Sequence, residues 1–128
     1  MRFIETKTHG ILDYLTGILL ILSPWIFDFN EGGAETIIPV VLGAGVIMYS
    51  LLTDYEMGGS YKITMKTHLL LDFAGGALLA TSPWIFGFND DVWQPHLIIG
   101  SMEMLVSVCT KTTRGTSGSK RRHASASH

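Results

Sequence analysis

Charge is absent from long stretches of this chain and concentrated between them. An apolar run covers residues 14–27 with Asp13 at its entrance, and the 18 residues 36–53 carry no charge at all. The alternation returns at residues 67–88, with Asp72 near the start, and at residues 93–110, where His96 and Glu103 interrupt the run. Between these stretches lie an acidic, glycine-containing turn at 28–35, a polar connection at 54–65 with Gly58-Gly59-Ser60 in its middle, and Asn89-Asp90-Asp91. Acidic and glycine-rich clusters of this kind mark turns. The pattern predicts four helices at about 8–29, 36–53, 67–88 and 93–110, the first opened by Thr8 as N-cap. The 22 residues from Thr8 to Phe29 reach roughly 33 Å at 1.5 Å per residue, enough for a ~30 Å hydrocarbon core if Pro24 does not end the helix. Taken alone, the 14 uncharged residues 14–27 also suit a buried core helix, so residues 36–53 are the clearest membrane span.

The first and third segments are copies of one another. Across residues 7–30, 15 of 24 positions are identical to residues 66–89 at an offset of 59. They include His9/His68, Asp13/Asp72, Gly17/Gly76 and an intact Ser-Pro-Trp-Ile-Phe at 23–27 and 82–86. The second and fourth segments align at Gly43/Gly100, Ser50/Ser107 and Thr53/Thr110. Such self-similarity marks a duplicated structural unit. The repeat resembles the SPW repeat family of small integral membrane proteins, in which a Ser-Pro-Trp motif lies in the first of two transmembrane helices. The resemblance covers residues from about 7 to 110. It implies an all-α, integral membrane four-helix bundle made of two helical-hairpin repeats. The family carries no established biochemical activity, so the resemblance implies a location and an architecture, not a reaction.

Composition and charge add an orientation. A mean hydropathy of +0.32 with 16% charged residues favours a membrane, since about a quarter of a soluble domain is charged. All nine lysines and arginines fall at the N-terminus (Arg2, Lys7), in the central connection (Lys62, Lys66) or at the C-terminus (Lys111, Arg114, Lys120, Arg121, Arg122). Under the positive-inside rule these three regions are cytoplasmic. Both repeats then enter and leave on the same side, with parallel topology and a pseudo-two-fold axis along the membrane normal. A soluble antiparallel four-helix bundle would not require this partition of basic residues. No small-x-small cleavage site follows the first run, so that run is expected to stay as a signal anchor. The chain divides into a first repeat with its connection (1–65), a second repeat (66–110) and a disordered basic cytoplasmic tail (111–128). The triplet Lys120-Arg121-Arg122 is a topology-setting flank, suited to anionic headgroups and too small for nucleic acid. The single Cys109 excludes an internal disulfide and cannot alone make a metal site.

The candidate chemistry sits in two patterns. In Ser23-Pro24-Trp25 and Ser82-Pro83-Trp84 the proline removes an amide donor and crowds the carbonyl of Leu20 or Leu79, so each helix is expected to kink or end near its outer face. Serine can bond the freed backbone group, and Trp25, Phe27 and Phe29 suit the aromatic belt; alternatively the kinked end lines a small binding cavity. In the second pattern, His9, Asp13 and Gly17 share one helix face, as do His68, Asp72 and Gly76, and as do Gly100, Glu103 and Ser107. Ionisable groups at membrane depth point into a bundle, so His9, Asp13, His68, Asp72 and Glu103 are expected to form one polar cluster in its cytoplasmic half. Each histidine is expected to pair with the aspartate of its own stripe, and His96 belongs at the outer interface.

Two histidines and two or three carboxylates are adequate metal ligands but lack diagnostic spacing, so no metal, cofactor or catalytic residue is assigned. No nucleophile triad, phosphate loop or dinucleotide motif is present, and no enzyme activity is expected. The expected partners are the lipid bilayer and, through the glycine-bearing faces, a second copy or another membrane protein, with no nucleic acid. Two readings follow. One is a structural or interaction protein of the cell membrane; the other is a small transporter, proton-handling or ion-binding protein using the His/Asp/Glu cluster.

Overall fold

The computed structural model describes residues 2–58 and 63–112, and within them four helices: α1 (Thr6–Ile26), α2 (Ala34–Leu51), α3 (Met65–Ile85) and α4 (Gln94–Cys109). Gly59, Ser60, Lys62 and the tail with Lys120-Arg121-Arg122 lie outside the described residues. Three helices begin about two residues before the hydrophobic pattern does. Glu5, not Thr8, is the N-cap of α1, while α3 is capped by Thr64, whose Oγ1 accepts from the Thr67 amide at 3.2 Å. Likewise α2 starts at Ala34, which puts Glu35 in its first turn, where the helix dipole favours an anion.

Proline does not end α1 or α3. Pro24 leaves the Leu20 carbonyl without its amide donor, and Ser23 Oγ donates to that carbonyl at 2.8 Å. Ser82 Oγ does the same for Leu79 at 2.7 Å. Each serine thereby lets its helix run two residues beyond the proline, to Ile26 and Ile85, and the expected helical stretch up to residues 29 and 88 is instead a closing turn. In that turn Asp28 (φ 57°) and Gly87 (φ 74°) take the left-handed conformation. The next residues, Phe29 and Phe88, donate their amides back to Pro24 and Pro83 at 2.8 Å, a helix-terminating pattern. The turn drives Phe29 and Phe88 inward, so Phe29 is buried and not part of an aromatic belt. Trp25, Phe27, Trp84 and Phe86 remain exposed at that end.

The helices pair as hairpins, α1 with α2 and α3 with α4, and α2 touches α3 between them. Glycine sets the approach inside each hairpin. A Cβ on Gly43 would lie 2.6 Å from the Gly17 carbonyl oxygen, and one on Gly100 would lie 2.5 Å from that of Gly76. Backbones in such contact admit no side chain. At the opposite end from the prolines, two short parallel bridges join the hairpins: Thr53 to Ile63, and Ile4 to Thr110. The amides of Phe3 and Ile4 donate to the Cys109 carbonyl at 2.8 and 2.9 Å, and Ile63 N donates to Leu52 O at 2.8 Å. The strand-like stub before α1 thus holds the end of α4, and the stub before α3 holds the end of α2. Two of the four helices, α1 and α2, are long and apolar enough to cross a membrane by length and composition.

Two substitutions test this construction in detergent-solubilised protein. Asp28→Gly should raise stability by about 0.5–1 kcal/mol by relieving the left-handed residue, as Gly87 already does in the other repeat. Gly100→Ala should lower stability by about 1–3 kcal/mol by prising α3 from α4. Thermal unfolding checks both; an unchanged midpoint for Gly100→Ala would contradict the backbone contact.

Candidate functional site

His9 and Asp13 stand one turn apart on α1, and His68 and Asp72 one turn apart on α3, so each helix presents a histidine and an aspartate on the same face. The structure brings these four buried side chains into one ring. Its shortest contacts cross between the helices: His9 Nε2 to Asp72 Oδ2 at 2.6 Å, and His68 Nε2 to Asp13 Oδ2 at 2.5 Å. The same-helix contacts are longer, 3.0 Å for His9–Asp13 and 3.2 Å for His68–Asp72. The expected pairing within each stripe is present, and the shorter crossed contacts add a pairing between repeats that it did not include. Side chains one turn apart run side by side, whereas those on facing helices meet end to end.

The proton inventory follows from the threonines. Thr110 Oγ1 donates to the Val106 carbonyl at 2.6 Å, so its oxygen accepts from His9 Nδ1–H at 2.7 Å. Thr53 Oγ1 donates to the Tyr49 carbonyl at 2.6 Å and accepts from His68 Nδ1–H at 2.7 Å. Both Nδ1 atoms carry hydrogen, and both Nε2 atoms face carboxylates. Each crossed contact needs one proton to be a hydrogen bond, so the ring of two imidazoles and two carboxyls holds two shared protons and is neutral overall. A neutral, hydrogen-bonded set is the arrangement in which buried ionisable groups are tolerated. The bridges place the threonines: Thr53 and Thr110 sit where the ends of α2 and α4 are held by the opposite hairpin.

Several neighbours complete the site. The Tyr49 hydroxyl donates to Asp72 Oδ1, whereas Asp13 Oδ1 is buried with no partner among the described residues. The rings of Tyr49 and Tyr55 pack on His68 with centroids 5.0 and 5.4 Å away. Tyr55, in the connection after α2, also packs on Met65 and Leu69, and burial pushes its phenol above the usual tyrosine range. Glu103 is buried within electrostatic reach of Asp13, Asp72 and His9, but takes no part in the ring's four short contacts. With Tyr49 and Asp72 it supplies the polar wall of an otherwise apolar cavity of about 370 Å³.

The remaining candidates go elsewhere. His96 lies at the end of the bundle with the acidic turns and is buried there: it sits between Phe29 and Phe88, each 5.0 Å away by ring centroid, and its Nε2–H donates to the Glu35 carbonyl at 2.9 Å. The inward turns at Asp28 and Gly87 bring those phenylalanines to it. The Ser-Pro-Trp residues sit near the far ends of α1 and α3, about 15 Å of helix beyond the ring's aspartates, and their serines serve the backbone. Gly17 with Gly43 and Gly76 with Gly100 are used up inside the hairpins, whereas Gly45 meets open space. Thr53, Thr110 and Tyr49 are site residues that sequence reasoning did not single out; the alignment of Thr53 with Thr110 was the signal that could have found two of them.

A family model described as the SPW repeat domain matches residues 7–110. The comparisons with curated proteins and with solved structures each found no match.

Thr110→Val and Thr53→Val should each cost about 1–3 kcal/mol by leaving a buried imidazole N–H without an acceptor. Thr→Ser at either place should restore most of that loss. Thermal unfolding measures it, and a valine variant as stable as its serine counterpart would contradict the assigned proton positions.

Proposed function

The chain belongs to the SPW repeat family, and on that premise we propose that it is a multi-pass protein of the cell membrane, with all four helices crossing the bilayer and the His/Asp ring serving as an intramembrane ion-handling site. One observation carries the membrane reading: the molecule is apolar outside and polar inside. Large apolar side chains face outward on every helix, among them Leu15 and Ile18 on α1, Val41 and Met48 on α2, Leu70 and Phe73 on α3, and Met102 and Leu105 on α4. Leu70 is 67% exposed and Leu105 63%. His9, Asp13, Ser50, His68, Asp72, His96, Glu103 and Ser107 are buried. In water this distribution opposes the hydrophobic effect, but in lipid it is the stable one.

The same observation accounts for α3 and α4 within a four-span reading. His68, Asp72, His96 and Glu103 lower the average hydropathy of those helices, yet all four are buried, and the outer faces are apolar but for small hydroxyls such as Thr81 and Ser101. The 16 residues of α4 reach roughly 24 Å, a mismatch that local thinning of the bilayer accommodates. The partition of lysine and arginine sets the ring's end of the bundle towards the cytoplasm. Ion handling is favoured over a purely assembling role because Gly17, Gly43, Gly76 and Gly100 are occupied within the hairpins, while the ring gathers four ionisable groups at membrane depth.

Cysteine accessibility in intact cells tests the topology. In a Cys109→Ser background, Asn30→Cys and Asp90→Cys should react with an impermeant thiol reagent, and Glu5→Cys should react only after lysis. Labelling of Glu5→Cys in intact cells with both turns protected would invert the orientation, and opposite behaviour of the two turns would break the four-span reading.

A further inference from the structure

We propose that the ring of His9, Asp13, His68 and Asp72 binds one divalent transition-metal ion of the zinc class, an inference that rests on the ring being the intramembrane site proposed above. Two imidazole nitrogens and two carboxylate oxygens form a donor set suited to Zn²⁺ and its first-row neighbours, and the four ligand atoms lie within 4.8 Å of one another. Bonds of about 2.1 Å in a tetrahedral centre place ligand atoms about 3.4 Å apart. The same-helix edges, 3.0 and 3.2 Å, are close to that spacing, and the crossed edges of 2.6 and 2.5 Å widen by less than an ångström. Calcium and magnesium call for six or more oxygen ligands, which this ring does not offer.

Three further observations point the same way. Metal-binding histidines donate their second ring N–H to a fixed acceptor, and here Thr110 and Thr53 accept from both Nδ1 atoms while their own hydroxyls are anchored on backbone carbonyls. Asp13 Oδ1 is an unpartnered buried oxygen on a side chain already in the ring, available as an additional donor. Charge also balances: the neutral ring holds two shared protons, so an incoming divalent ion displaces two H⁺ and leaves two neutral imidazoles, two carboxylates and no net charge. A monovalent or trivalent ion taking the place of the same two protons would leave a charge in the low-dielectric interior. The cavity walled by Tyr49, Asp72 and Glu103 reaches the ring at Asp72 and gives an ion room to approach.

The test uses full-length protein purified in detergent, stripped with a chelator and titrated with Zn²⁺ alone. One Zn²⁺ per chain, two protons released per ion and a higher thermal midpoint are expected. Co²⁺ in its place should give the strong visible bands of a tetrahedral site. His68→Gln should weaken binding by about 100-fold or more, and Thr110→Val by about 10–100-fold with Thr110→Ser close to wild type. Because His68→Gln also removes a fold contact, the proton count and the Co²⁺ spectrum of the unmodified chain carry the test without it. Failure of the stripped protein to take up Zn²⁺, uptake without proton release, or undiminished uptake by folded His68→Gln would overturn the proposal. Such a failure beside the expected cysteine labelling removes the metal and leaves the membrane reading, while metal binding beside contrary labelling does the reverse.

Discussion

Two hydrogen bonds exchanged between α1 and α3, His9 with Asp72 and His68 with Asp13, are the constraint on which the rest of the structure depends. Ionisable groups this deeply buried are destabilising unless every charge is matched, and removing one partner from such a set costs about 3–5 kcal/mol. The surroundings meet that demand at every ring atom except Asp13 Oδ1. Bridges at the chain stubs bring Thr53 and Thr110 under the two Nδ1 atoms, and Tyr49 meets the free oxygen of Asp72. The glycine contacts hold α2 against α1 and α4 against α3, so that the helices carrying the threonines are fixed relative to the histidines.

Duplication supplies the symmetry, and the departures from it are as informative. One sequence written twice yields matched halves of the ring, each half completed by the other. The copies differ at Tyr49 against Val106, at Val46 against Glu103 and at Pro39 against His96. The first difference leaves Asp13 Oδ1 without the hydroxyl that Asp72 has. The second puts a carboxylate beside one flank of the ring only, in the wall of the cavity. The third places a histidine between Phe29 and Phe88 at the far end of the bundle. The ring is symmetric at its centre and asymmetric in what surrounds it.

Much of this was legible in the amino-acid order. Uncharged runs and acidic turns announce four helices, and the four-residue spacing of His9 with Asp13 and of His68 with Asp72 puts each pair on one inward face. What spacing cannot convey is the partner across the bundle, so it announces the same-helix pairs and misses the shorter crossed contacts beside them. Helix ends were misplaced for local reasons: a hydrophobic pattern does not register Ser23 and Ser82 repairing the bonds that proline removes, nor the left-handed Asp28 that ends α1 at Ile26. That same turn redirects Phe29 from the surface to the interior and, with it, the place of His96. Thr53 and Thr110 were visible as aligned residues, but their role depends on the bridges from Thr53 to Ile63 and from Ile4 to Thr110, which a hydrophobic pattern does not register.

The central claim is that the crossed pairs between α1 and α3, shorter than the same-helix contacts beside them, hold the repeats together. A double-mutant cycle on His9→Gln and Asp72→Asn, set beside one on His9→Gln and Asp13→Asn and read from unfolding in detergent, tests it most directly. The account predicts a coupling above about 1 kcal/mol for His9 with Asp72, larger than that for His9 with Asp13. A coupling near zero for His9 with Asp72, with the whole effect falling on His9 and Asp13, would contradict it.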